Sequence, residues 1–353
     1  MGNNKLLSII IPTYNRAEIT AYTLSLFQQQ IVRRADEVEL IVCDNASNDN
    51  TQSLLTHLGN NSFYKYVRYD DHVDVGHSIV RATENATGRF FLIYGDDDIP
   101  APYMVDVLID TIKKYNDISY VGFNRLRGNS FSDSFEIQDL VVAGQNIIDG
   151  YVKEYNDISD YAEEHQNEVG FLSVNIVRND LWRDRYQDVF PNNHRGYEFI
   201  IPFLYSAKGF KCVYIQYPLC VQRVPASKGG RGQHQWTNGL SYFYLGRPRA
   251  IYAQEKYGIV HDAHELFSNY EVQFGREYLL SQLISLPQDS LEIYESISEI
   301  SSYLSDEFEK EMVMNILSSR GYIRKMYQMY YKIKLYGIKY VIRRVMRLLK
   351  IRK

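Results

Sequence analysis

Apolar and polar positions follow one another along this chain in two rhythms. Residues 6–12, LLSIIIP, form a short, nearly continuous apolar run rich in β-branched side chains and closed by Pro12, the pattern of a parallel strand buried on both faces. The stretch AEITAYTLSLFQQQ then sets Ala17, Tyr22, Leu24, Leu26 and Phe27 at helical spacing, which predicts a helix. VELIVCD reads as a second strand, TQSLLTHL as a helix that Asp49 or Thr51 can cap, and FYKYVRY as a third strand. Strand, helix, strand, helix and strand in about seventy residues predict an α/β fold with a parallel sheet.

Ligands of such open sheets bind beyond the carboxyl ends of the strands, and the distinctive polar residues lie there. Pro12-Thr13-Tyr14-Asn15-Arg16 follows the first strand, Asp44-Asn45-Ala46-Ser47 the second, and Asp96-Asp97-Asp98 the apolar run FFLIY. Three adjacent carboxylates repel one another unless a cation offsets them, and Mg²⁺ or Mn²⁺ is the natural one. The other use of such a triplet is a turn or a cap before the helical segment YMVDVLIDTIKKY. Its place level with two further polar strand ends favours the metal.

SIIIPTYNR, VCDNASNDNT and YGDDDIPAP, in that order, resemble the nucleotide-sugar domain of glycosyltransferase family 2, which has the GT-A fold. The resemblance covers about the first 225 residues. It implies that Tyr14 packs on the nucleotide base, that Asp44 hydrogen-bonds the base edge, and that Asp97 with Asp96 or Asp98 holds the metal on the diphosphate. Pro12, Thr13 and Arg16 belong to the same donor loop. The chain departs from the family in carrying Gly95 where many members have aspartate, and Ser78-Ile79-Val80-Arg81 where they have Ala-Arg-Asn. Arg81 either turns to the phosphates or is an exposed helix arginine. The GDDD spelling is similar to a subgroup of bacterial surface-polysaccharide assembly that includes abequosyltransferase-like enzymes.

Inverting transfer to a hydroxyl needs a general base near that hydroxyl. Family members supply it from a Glu-Asp pair before a glycine, and Tyr197-Glu198 with Gly209 occupies that stretch here. Glu198 is the expected base; a retaining reaction is the alternative. FLSVNIVRNDLW reads as a further strand, with Ser173 and Asn175 either facing the acceptor or forming the solvent side of an edge.

After Pro225 the run ASKGGRGQHQWTNG is either a mobile loop closing over a diphosphate or a plain linker. Lys228 and Arg231 are its candidate leaving-group contacts, and His234 could complete a metal shell. QHQW lacks the arginine of the QxxRW signature of processive synthases, which points to single addition. From Leu240 onward the pattern is helical. The organisation read from sequence is a catalytic domain over 1–225, a loop and helical extension over 226–311, and a basic tail over 312–353.

Charge sharpens that last boundary. The chain holds 39 Lys and Arg against 43 Asp and Glu, yet residues 312–353 carry twelve of the cations and none of the acids. In KIKLYGIKYVIRRVMRLLKIRK the apolar residues from Leu335 to Leu349 keep to one face. That pattern suits a helix lying in an anionic membrane surface, where tyrosines are also favoured; a nucleic-acid arm is the rival. The start MGNNKL lacks a signal-peptide pattern, and its sixth residue, Leu6, does not suit myristoylation. The expected location is the cytoplasm, peripheral on the inner face of the membrane. Cys43, Cys212 and Cys220 have no metal-type spacing and read as core. Two other classes stay open: a sugar-1-phosphate nucleotidyltransferase, for which PTYNR lacks the glycine-rich phosphate loop, and a non-catalytic nucleotide- or saccharide-binding module.

Overall fold

The computed structural model describes residues 5–56, 61–127, 152–190, 197–222, 246–274, 297–304 and 306–338. The chain divides into two compact units: residues 1–192, 196–235 and 254–261 form the first, and 193–195, 236–253 and 262–353 the second.

Among the described residues the first unit is built on a nine-stranded sheet of order β3-β2-β1-β4-β8-β6-β9-β5, with β7 paired to β9. The strands are β1 (Leu7–Thr13), β2 (Val38–Asp44), β3 (Tyr64–Arg68), β4 (Phe90–Ile93), β5 (Ile99–Pro100), β6 (Tyr120–Arg127), β7 (Val152–Tyr155), β8 (Asn175–Arg178) and β9 (Cys212–Gln222). β1 lies between β2 and β4, parallel to both, and β2 is parallel to β3. β8 runs antiparallel to β4 and β6, so the sheet is mixed. Leu7, Ile9, Ile10 and Ile11 of β1 are all fully buried, which is why that strand reads as a continuous apolar run. The three cysteines are free and buried.

The helices α1 (Ala17–Ile31), α2 (Thr51–Thr56), α3 (Val75–Thr83) and α4 (Met104–Lys114) follow β1, β2, β3 and β5 along the chain. Asp49 holds the start of α2 by accepting from the Thr51 amide at 2.9 Å. The buried face of α1 is Ala17, Thr20, Thr23, Leu24, Phe27, Gln30 and Ile31. Tyr22, expected on that face, is exposed, and two threonines take the inward positions because they have hydrogen-bond partners there.

FLSVNIVRNDLW also differs from its reading as one strand. Only Asn175–Arg178 is strand, preceded by a 3₁₀ turn, Leu172–Val174, and followed by the helix Asn179–Arg185 that carries Trp182. It is an interior strand, and Ser173 and Asn175 are buried rather than solvent-facing.

The described residues of the second unit are helical. They include Ala263–Phe274, Ile297–Tyr303, Glu307–Ser318 and Gly321–Tyr336. The last helix leaves Tyr322, Ile323, Met326, Met329, Tyr330 and Ile333 exposed, and at 100° per residue these six fall on one face. Tyr331 and Arg324 are buried on the opposite face. Among the described residues no helix is long and apolar enough to cross a membrane.

Candidate active site

The polar ends of β1 and β2 are joined directly. The Asn45 amide donates to the Thr13 carbonyl at 2.9 Å, the Asn15 amide to Ser47 Oγ at 2.9 Å, and the Asn48 amide to Asn15 Oδ1 at 2.8 Å. Both turns use left-handed backbone, with φ of 54° at Asn15 and 63° at Ala46. Asn tolerates that conformation, whereas an alanine there costs about 1 kcal/mol and persists only where neighbours enforce it. The enforcing contact is local: the Ser47 amide donates to Asp44 Oδ1 at 2.8 Å.

The acid loop is pinned to the same place. Thr13 Oγ1 donates to Asp96 Oδ2 at 2.8 Å, and Thr23 Oγ1 of α1 donates to the Asp96 carbonyl at 2.9 Å. Arg16 forks across two of the acids, Nη1 on Asp96 Oδ1 and Nη2 on Asp97 Oδ2, each at 2.5 Å. Asp98 turns the other way and accepts from Ser173 Oγ at 2.5 Å, while Ser173 Oγ accepts from the Gly95 amide at 2.8 Å. Each carboxylate therefore has its own donor. Burial raises the Asp96 carboxyl to about 6, an effect that Arg16 opposes and Asp97 reinforces. Burial alone would lower Arg16, but Asp96, Asp97 and Asp98 outweigh it and raise the guanidinium further.

Among the described residues no three His, Cys, Asp or Glu side chains converge as ligands. Mg²⁺ and Mn²⁺ commonly take one or two protein carboxylates and complete their shells with water and phosphate. The residues present fit such an ion. A Cβ at Gly95 would stand 2.8 Å from Asp98 Oδ2 and 3.4 Å from Asp97 Oδ1, so the glycine leaves open a cradle edged by two carboxylate oxygens. Asp97 is the acid that reaches solvent, its side chain 24% exposed.

Asp44, at the end of β2, is fully buried. Its Oδ2 accepts from Tyr66 Oη at 2.5 Å and lies 3.8 Å from Arg68 Nε. Tyr14 is half-buried, and its ring lies against His72 with centroids 4.1 Å apart and planes 34° apart. Pro12 is paired with Cys43 in the sheet. Arg81 is not the exposed helix arginine offered as one of its two readings. Its guanidinium covers the Tyr69 ring at 3.9 Å, donates to the Asp71 carbonyl at 2.9 Å and hydrogen-bonds Asn45.

Glu198 packs beside Gly76 near the start of α3. That helix is capped by Asp74, whose Oδ1 accepts from the His77 amide at 3.1 Å. The preceding residue, Val73, is tied to Asn45 through its carbonyl at 2.8 Å and its amide at 3.1 Å. A chain of hydrogen bonds and packing thus runs from the second motif to Glu198. Lys228, Arg231 and His234 lie outside the described residues.

Sequence reasoning missed Thr20, Thr23, His72, Tyr66 and Arg68. Thr20 and Thr23 had a signal: polar residues three apart on the largely apolar face of α1. The others sit on β3 and the segment after it, where nothing in the local pattern distinguishes a ligand-side residue from an exposed one.

The sequence model described as glycosyl transferase family 2 matches residues 8–165. The abequosyltransferase of Salmonella typhimurium is 29% identical over 115 residues, 32% of this chain and 34% of that protein. The chain thus spans about a third of the length of that curated relative. Among solved structures, S. aureus TarS in complex with UDP-GlcNAc superposes with a TM-score of 0.60 at 13% identity, over 94% of this chain and 93% of that one. A mannosyltransferase of Pyrobaculum calidifontis in complex with GDP-Man and Mn²⁺ gives 0.51 at 15% identity, over 98% and 88%. These likenesses carry the GT-A fold, and the likeness to glycosyltransferase family 2 covers residues 8–165, less than half of the chain.

Proposed function

We propose that the protein is a metal-dependent glycosyltransferase that moves one sugar from a nucleotide-sugar donor to a saccharide acceptor in bacterial surface-polysaccharide synthesis. One observation carries the reading. Motifs far apart in sequence are bonded to one another: Thr13 Oγ1 lies 2.8 Å from Asp96 Oδ2, eighty-three positions on, and the Asn45 amide 2.9 Å from the Thr13 carbonyl. A nucleoside diphosphate laid across these strand ends would meet Tyr14 as a stacking surface, Asp44 as a base-edge acceptor and the acid loop at its phosphates.

Asp97 with Asp98 would hold a divalent metal, which when bound neutralises charge on the diphosphate. Thr13 and Arg16 orient the loop through Asp96. Glu198 takes the proton of the acceptor hydroxyl as that oxygen bonds to the anomeric carbon. The bond from that carbon to the phosphate oxygen breaks, its electron pair leaves with the nucleoside diphosphate, and the anomeric configuration inverts. Arg81 serves by holding Asn45 and Asp71. Lys228, Arg231 and His234 remain candidates for the diphosphate and the metal shell.

The acceptor in this reading is lipid-linked, and the protein sits peripherally on the inner membrane face. The acid-free stretch 312–353 and the exposed apolar face of the Gly321–Tyr336 helix support that location.

The experiment is titration with UDP, GDP, CDP and dTDP, with and without Mn²⁺, on the wild type and Asp97→Ala. Tight, metal-dependent binding of one nucleotide that is lost in the variant is the expected result. Absence of binding by all four removes the donor-site assignment.

A further inference from the structure

The salt bridge that neutralises the acid loop stands where the expected metal would bring its charge. Arg16 Nη2 lies 2.5 Å from Asp97 Oδ2, and Asp97 Oδ1 edges the cradle over Gly95. A divalent ion on that carboxylate would face the guanidinium across a single carboxyl group, a like-charge contact at short range in a partly buried site. The two cations therefore compete for Asp97.

We infer that Arg16 is a built-in counter-cation that suppresses metal binding in the nucleotide-free protein and yields Asp97 when a diphosphate supplies replacement oxygens. This rests on the donor-site reading above and adds to it an order of binding. The backbone of Arg16 is fixed, its carbonyl accepting from the Thr20 amide at 3.0 Å and from Thr20 Oγ1 at 2.7 Å. The side chain is less tightly held: it is 23% exposed, and its Nε is buried with no hydrogen-bond partner. A buried donor left unmatched lowers the cost of leaving this pose. A diphosphate offers an arginine the same planar, bidentate oxygen pair that the acids now provide. Metal and diphosphate then favour one another, each removing what opposes the other, and that coupling is reciprocal.

The test follows free Mn²⁺ by EPR on the full chain. Mn²⁺ alone is titrated into the wild type, Arg16→Gln and the double variant Arg16→Gln/Asp97→Asn, then again with whichever of UDP, GDP, CDP or dTDP the wild type binds. Arg16→Gln is expected to bind Mn²⁺ alone about tenfold more tightly than the wild type, with the gain lost in the double variant. The enhancement of Mn²⁺ affinity by nucleotide is expected to shrink in Arg16→Gln. Equal or weaker Mn²⁺ binding by a folded Arg16→Gln, while the wild type binds nucleotide with metal, overturns the inference and leaves the donor site standing. Absence of Mn²⁺ and nucleotide binding in every protein overturns both. If Arg16→Gln does not fold, ¹⁵N guanidinium NMR of the wild type decides: nucleotide with Mg²⁺ should shift the Nη signals of Arg16 as its partners change from carboxylate to phosphate oxygens, and an unchanged signal overturns the inference.

Discussion

Glu198 stands against Gly76 so closely that a Cβ on the glycine would be 3.0 Å from Glu198 Cβ and 3.1 Å from its Cγ. Only hydrogen fits there without moving the glutamate. Gly76→Ala should therefore displace Glu198 while leaving α3 intact, since alanine is the better helix former by about 1 kcal/mol. The expected outcome is a fall in turnover of about tenfold or more with nucleotide affinity unchanged. Glu198→Gln should lower kcat by about 10²–10⁴-fold, the usual contribution of a general base. Steady-state kinetics beside nucleotide titration checks both, and full activity in Glu198→Gln would remove it as the base.

Ser173 serves two groups, donating to Asp98 and accepting from the Gly95 amide. Ser173→Ala leaves both without that partner in a buried place, at about 1–3 kcal/mol. Thermal denaturation should show that loss. Nucleotide affinity with Mn²⁺ should weaken, while affinity without metal should not change.

His165 sits on the Tyr214 ring at 3.8 Å, with its Nε2 2.6 Å from Tyr155 Oη. Burial lowers its pKa to about 4, although Glu164 acts in the opposite direction. The unfolded chain takes up this proton near pH 6.5 and the folded chain only near 4, so protonation favours unfolding. The contribution of neutral His165 is complete above about pH 6.5 and is lost as pH falls towards 4. Denaturant titrations across that range should show stability falling, by up to about 3 kcal/mol from this group. His165→Phe should flatten the slope.

The exposed stripe on the Gly321–Tyr336 helix is flanked by Lys325 and Lys332 on one side and Lys334 on the other. The full chain should sediment with vesicles containing anionic lipid, and less well as salt is raised. Ile323→Glu/Met326→Glu should weaken that binding by about tenfold without altering transfer to a soluble acceptor. Unchanged sedimentation would detach this helix from the membrane reading.

Where polar residues follow directly on an apolar run, the candidate site is legible in the sequence. The nearly continuous apolar run of β1, the spacing of α1 and the acids after FFLIY are local patterns, and local patterns carry element type and the rim where ligands of such sheets bind. The partners of those residues were hidden for an equally plain reason. Arg16 and Asp96 are eighty positions apart, Ser173 and Asp98 seventy-five, and such distances are closed only when β1, β4 and β8 take their order in the sheet. Residues 6–12 dictated a buried strand because one with apolar side chains on both faces has nowhere else to go. That the acids after β4 would be shared among an arginine, two threonines and a serine was decided by the tertiary structure, since buried charge must find its donors wherever the packed chain supplies them.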